Sequence, residues 1–155
     1  MSLDVIIIGA GPAGIFAALT LADRGVGRVA LLEKGKDLDA RKRGRREDVL
    51  SGWGGAGAFS DGKLTLSPEV GGFLREFLSP YDLNALRDAT DGRYLGHGAP
   101  TEVFGEASPR LEELSDRARL ADLKLIPSRI RHIGTDHCPH VLSRFRRSLS
   151  GLVEV

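Results

Sequence analysis

Residues 4–14 read Asp4-Val-Ile-Ile-Ile8-Gly9-Ala-Gly11-Pro12-Ala13-Gly14. The β-branched run from Asp4 to Ile8 predicts a central parallel strand covered on both faces. Three glycines follow in the pattern GxGxxG. Beyond them Ile15, Phe16, Leu19 and Ala22 recur near helical spacing, so Pro12 to Arg24 predicts a helix. Pro12 suits its first turn, where a missing N–H costs nothing, and Gly25 and Gly27 end it. Arg28 to Glu33 (RVALLE) predicts a second apolar strand. Strand, helix and strand make a βαβ unit whose crossover is expected to be right-handed.

A lone GxGxxG fits many proteins; one that leaves a strand and opens a helix points to a dinucleotide. Gly9 permits the tight turn, Gly11 lets a pyrophosphate approach the backbone, and Gly14 lets helix and strand pack closely. The helix N-terminus, with Pro12 and Ala13 in its first turn, offers N–H groups and partial positive charge to phosphates. Glu33 closes the second strand near the spacing of about 20 residues expected for a ribose-binding carboxylate. A carboxylate there accepts bonds from ribose hydroxyls and repels a 2′-phosphate, which argues for FAD or NAD over NADP at this site. The alternative is a glycine-rich turn that merely packs tightly.

The rest of the composition narrows the classes. A chain of 155 residues predicts about one domain. With 41% hydrophobic and 28% charged residues it can bury a core and is not disordered throughout. Net charge is +1, which gives no reason to invoke nucleic acid. One cysteine excludes an internal disulfide and a CxxC site, and fits a reducing compartment. The uncharged run Val5 to Ala22 superficially resembles a membrane span. Glycines and Pro12 break it, and no basic segment precedes it, so a cytoplasmic location without anchor is the expectation.

Residues 34–50 are polar, with the basic run Arg41, Lys42, Arg43, Arg45 and Arg46, for which a solvated face is the plain reading. Residues 51–72 are glycine-rich. From Glu69 to Leu95, Phe73, Leu74, Phe77 and Leu78 suggest one short helix, and Leu83, Leu86 and Ala89 another. Gly92 to Gly105 reads as loop. Ser108 is the expected N-cap of a helix through Leu123. Lys124 to Ile130 reads as a short strand interrupted by Pro127. Thr135 or Asp136 is the expected cap of a helix from about Pro139 to Leu149, and Leu152 to Val155 a further strand. The fold class is α/β, a Rossmann-like parallel sheet followed by a mainly helical insertion. The expected division is 1–66, 67–150 and 151–155.

Residues 4–35, ending Glu33-Lys34-Gly35, then Ser51 to Leu66 (SGWGGAGAFSDGKLTL) and His132 to Asp136 (HIGTD), carry a resemblance. Together they resemble the N-terminal part of a bacterial family of FAD-dependent dehydrogenases, NAD(P)/FAD-dependent oxidoreductases with the two-dinucleotide-binding flavoprotein fold. The resemblance implies that the loop containing Gly52, Gly54, Gly55, Ala56 and Gly57 lies against the flavin or its pyrophosphate. It implies polar groups at Ser60, Asp61 and Lys63 near the ring, with Lys63 stabilising negative charge on a reduced flavin. It also implies that Lys34 belongs to the cofactor site and that Arg41 or a neighbour reaches the phosphates. NAD(P)H is then the candidate electron donor and a small molecule the substrate; no catalytic acid or base stands out. Family members are longer, so the chain is expected to be an incomplete, truncated flavoprotein fold that exposes apolar surface and binds FAD weakly. The alternatives are a non-catalytic dinucleotide-binding fragment and an NAD-binding dehydrogenase domain. The second glycine loop argues against the latter, and Trp53 and Phe59 within it argue against a flexible linker.

His132, His137, Cys138 and His140 have zinc-ligand types but no usual zinc spacing, and no metal is expected. Cys138 near a helix start suits either a lowered pKa or, more simply, a buried inert thiol.

Overall fold

The computed structural model describes residues 2–41, 45–68 and 70–154. Lys42 and Arg43 of the basic run, Glu69 and Val155 lie outside them. The chain forms two compact units, residues 1–62 with 134–155 and residues 63–133.

In the first unit β1 (Val5–Ile8), α1 (Pro12–Asp23) and β2 (Val29–Leu32) follow the expected order within a residue or two at each end. A third strand, β5 (Val153–Glu154), lies at the other side of β2. The sheet is parallel in the order β1-β2-β5, with Val5 opposite Val29 and Val29 opposite Val153. Helix α5 (Cys138–Leu149) packs on α1, where the Phe16 and Phe145 rings meet edge to face at 5.6 Å. Ile15, Leu19, Leu31, Val141, Phe145 and Leu149 fill the core between these elements. A Cβ on Gly14 would stand 3.4 Å from Ile7, so Ile7 faces α1. By strand alternation Ile6 and Ile8 face the other way, and there Ile6, Ile8 and Leu32 are exposed at 56%, 87% and 55%. The expectation that β1 is covered on both faces is therefore corrected. Its composition suits burial, but α1 covers only one side, and in the described sheet β1 is an edge strand.

The second unit has its own small sheet. Strand β3 (Lys63–Thr65) pairs antiparallel with β4 (Ile130–His132), Lys63 opposite His132. Helix α3 (Pro80–Gly96) is capped by the Ser79 hydroxyl, which accepts from the Asp82 N–H at 3.1 Å. Helix α4 (Pro109–Leu120) is capped as expected by Ser108, which accepts from the Leu111 N–H. A buried ion pair joins the sheet to α3: Arg131 meets both Asp91 oxygens at 2.6 and 2.7 Å and donates to the Pro100 carbonyl.

Four local expectations are corrected. Gly92 and Gly96 stand inside α3 rather than in a loop, because the helix is long enough to carry two weak helix formers. Residues 124–129 are not strand; the strand starts at Ile130, beyond Pro127 and where the Phe104 backbone pairs with it. Helix α5 starts at Cys138 behind His137, and neither Thr135 nor Asp136 caps it; Pro139 at its start lacks an N–H to cap. The helix lies in the first unit, with its apolar face buried on α1. The helical stretch near Phe73 is one 3₁₀ turn, Leu74–Glu76.

Candidate functional site

The site is built around the turn from β1 into α1. Gly9 has φ +99° and donates its N–H to the Leu32 carbonyl at 2.7 Å, so the turn is pinned to β2. That φ is one an L side chain rarely adopts. A Cβ on Gly14 would lie 1.9 Å from the Gly9 carbonyl oxygen, which confirms its close-packing role. A Cβ on Gly11 would meet no protein atom within 4 Å, although Gly11 is the N-cap of α1. Protein packing does not require a glycine there, and the open space leaves the backbone accessible. Pro12 and Ala13 are exposed, and no side chain caps the helix. The first-turn N–H groups of Ala13 and Gly14 have no partner within the helix and suit an anion.

Glu33 leaves β2 and ties three segments together. Its Oε2 accepts from the Ala10 N–H at 2.8 Å; its Oε1 accepts from Gly35 at 2.8 Å and Gly52 at 3.0 Å. A carboxylate offers about four acceptor positions, so Oε2 keeps room for one further donor such as a ribose hydroxyl. Burial raises its pKa, but the three backbone donors and the charge of Arg41 outweigh this and hold it below the ordinary 4.5. Lys34 beside it is exposed.

The second glycine loop docks onto the first. Gly54 donates its N–H to the Ala10 carbonyl at 2.8 Å, and Trp53 to the Lys36 carbonyl at 3.0 Å. A Cβ on Gly55 would come 3.2 Å from the Gly11 Cα, and Gly55 has φ +64°. Trp53 is buried and donates from Nε1 to the Leu142 carbonyl of α5 at 3.0 Å. This is an anchored loop, not a linker. Ala56 and Gly57 open its 3₁₀ turn, Ala56–Phe59, and a Cβ on Gly57 meets nothing within 4 Å. We expect Gly55→Val to displace the loop, since a β-branched residue in the left-handed region costs about 1–2 kcal/mol before any clash. Flavin should be lost while helical circular dichroism persists; flavin kept at full occupancy would show that the loop plays no part in holding the ligand.

Arg41 is not placed as the resemblance implied. It is 6% exposed. Its Nε donates to the Asp48 carbonyl at 2.8 Å, its Nη2 to Val49 and Gly55 at 3.0 and 2.9 Å, and its Nη1 to Trp53. These donors face protein carbonyls, so direct contact with phosphates is replaced by a scaffold role. Lys63 lies in the second unit, exposed on β3. Sequence reasoning missed Ala10, Gly35 and Asp48. Gly35 left one signal, a glycine directly after the strand-ending Glu-Lys pair; a Cβ there would lie 2.3 Å from the Gly52 nitrogen. Ala10 acts through its backbone, which any residue provides, and left no signal.

The profile of the family described as FAD dependent oxidoreductase matches residues 4–149. The chain belongs to that family. Its fold is the Rossmann-like FAD-binding type, and membership implies FAD binding. An uncharacterized protein of Clostridium beijerinckii is 51% identical over 71 residues. The match covers 39% of this chain and 13% of the relative, so the chain spans a small part of the curated protein it matches. No solved structure matches it.

Among the described residues no three His, Cys, Asp or Glu side chains gather as a metal site, and no helix is long and apolar enough to cross a membrane. Cys138 is buried, and burial, then the charge of Asp61, pushes its pKa up. The helix start does not overcome desolvation. The native thiol should react with a disulfide reagent about tenfold or more slowly than in the unfolded chain; equal rates would place it at an accessible surface.

Proposed function

We propose that this chain carries the FAD-binding portion of an oxidoreductase that transfers a hydride between NAD(P)H or an organic substrate and the flavin. One observation supports this above the rest: two glycine loops form one cradle, Gly54 bonded to Ala10 and Gly55 seated on Gly11, beside an uncapped helix N-terminus. A plain nicotinamide domain has no need of the second loop.

Bound FAD would supply the hydride chemistry. The protein's part is recognition. Gly11, Ala13 and Gly14 would receive the pyrophosphate, and the remaining acceptor of Glu33 the ribose. Gly54 to Gly57 would line the flavin side. Lys34 is the flanking cation at the adenosine end. NAD(P)H as donor, a small-molecule substrate and a cytoplasmic location belong to the same reading. A non-catalytic dinucleotide-binding module is the competing one. The test is titration of the purified chain with FAD, read by flavin fluorescence, followed by anaerobic addition of NADH or NADPH. Saturable binding with bleaching of the flavin band supports the proposal. Binding without reduction by either nucleotide or any organic donor favours the module, and no FAD binding removes the reading.

A further inference from the structure

Arg41 holds the second glycine loop by four backbone carbonyls that come from two places. Asp48 and Val49 lie in the short helix α2 (Arg46–Leu50), whose terminal carbonyls lack intrahelical donors. Trp53 and Gly55 lie in the loop itself. The planar guanidinium fork is the side chain that can serve all four at once. Two other features are fitted to it. The Phe59 ring, at the far end of the loop, lies 4.9 Å from the guanidinium carbon. Gly52 has φ +117°, and a Cβ there would strike the Lys36 carbonyl oxygen at 2.5 Å and the Arg41 Cδ at 2.7 Å, so the glycine makes room for both the neighbouring backbone and the arginine stem. Burial lowers the arginine's pKa, while Glu33 and Asp48 push it back up. Asp48 is itself 3% exposed and paired with Lys36 at 2.9 Å.

Glu33, Lys36 and Ala10 accept the N–H groups of Gly52, Trp53 and Gly54 and tie down the donors of the loop, whereas Arg41 gathers the carbonyls of Trp53 and Gly55. Gly52, Gly54 and Gly55 all have positive φ, so no strand or helix ladder runs through them. Yet this is the segment whose Gly55 sits on Gly11. We propose that Arg41 is a positioning residue for the flavin half of the cofactor. It sets the backbone of residues 52–57, and through that backbone the surface beside Gly11, without touching the ligand. The inference rests on the proposed function for its ligand, but the shape of the loop can be read without any ligand.

The test uses the full chain with Arg41→Met and Arg41→Lys. Hydrogen exchange without ligand comes first. In Arg41→Met the amides of residues 52–57 should exchange tenfold or more faster, with those of α1 and β2 unchanged. Titrations with FAD and with ADP follow. FAD affinity should fall tenfold or more and ADP affinity less than threefold, because ADP uses the first glycine turn and Glu33. Arg41→Lys, with charge but no fork, should lie between. Unchanged exchange in the loop overturns the proposal. So does an equal loss for FAD and ADP, which is what a direct phosphate contact predicts. If Arg41→Met does not fold, Phe59→Leu keeps all four hydrogen bonds and should shift loop exchange and FAD affinity in the same direction by a smaller factor; no shift in either overturns the proposal. A parent chain that binds neither ligand defeats the proposed function but leaves the exchange result to decide the role of Arg41.

Discussion

Gly14→Ala should unfold the first unit, while Gly11→Ala should leave the fold intact and remove the cofactor. The two glycines stand three residues apart in one motif and differ in what surrounds them. A methyl group on Gly14 would lie 1.9 Å from the Gly9 carbonyl oxygen and 3.4 Å from Ile7. The carbonyl cannot give way, since Gly9 is pinned to Leu32 through its N–H. Helix and strand must separate, with loss of the packing of Ile15 and Leu19. Overpacking costs about 1–3 kcal/mol where side chains can adjust. A backbone clash should exceed about 4 kcal/mol, a large part of a typical domain's 5–15. At Gly11 the backbone is extended at φ −75° and ψ 179°, which alanine accepts, and the new methyl meets no protein atom within 4 Å. Stability should change by less than about 0.5 kcal/mol. FAD affinity should fall by about 1–3 kcal/mol, the scale of a lost charge-assisted contact, because in the proposed site the methyl would stand where the pyrophosphate reaches the backbone. Thermal unfolding and FAD titration of both variants check this. A Gly11→Ala chain that binds FAD as the parent does would move the pyrophosphate elsewhere.

Glu33→Ala should be costly in both respects. It strands the N–H groups of Ala10, Gly35 and Gly52, and each unpaired donor costs about 1–3 kcal/mol when fully buried. Glu33 is half-buried, so water relieves part of this, and a loss of about 2–4 kcal/mol is expected. FAD affinity should fall by about 1–3 kcal/mol with the acceptor gone. The acid limb supplies a separate check. The folded pKa of Glu33 lies below its ordinary 4.5. Its contribution is therefore fully present above the unfolded value and is lost as pH falls through the lowered folded one. Urea unfolding of parent and variant should differ by a constant amount above about pH 5 and converge in the acid. A difference that persists at low pH would mean that shape, not charge, is the contribution of Glu33.

Much of the first unit was legible because its signals are local. Strand β1, helix α1, strand β2, the glycine turn and Glu33 all rest on neighbours in sequence, and the roles of Gly9 and Gly14 followed from backbone sterics that any such turn shares. Ser108 as a cap was legible for the same reason. Strand β3 was not, since its three residues gain order from pairing with β4, far along the chain. Arg41 shows the limit best. A basic residue after the second strand has the right type for a phosphate ligand, and its burial under four carbonyls depends on how a loop folds back over it.

The sequence by itself determined the dinucleotide-binding class and the glycines that make the turn. These follow from which φ values and approaches a residue without a Cβ permits, and that is a property of the residue. Only the tertiary structure decided that the two glycine loops are one cradle, that Glu33 bonds three backbone segments, and that Arg41 shapes the site from behind. It also decided that α5 packs with α1 and leaves the Ile6, Ile8 and Leu32 face of the sheet open. These depend on which distant segments meet, and an apolar or charged residue carries the capacity for such a contact without naming its partner.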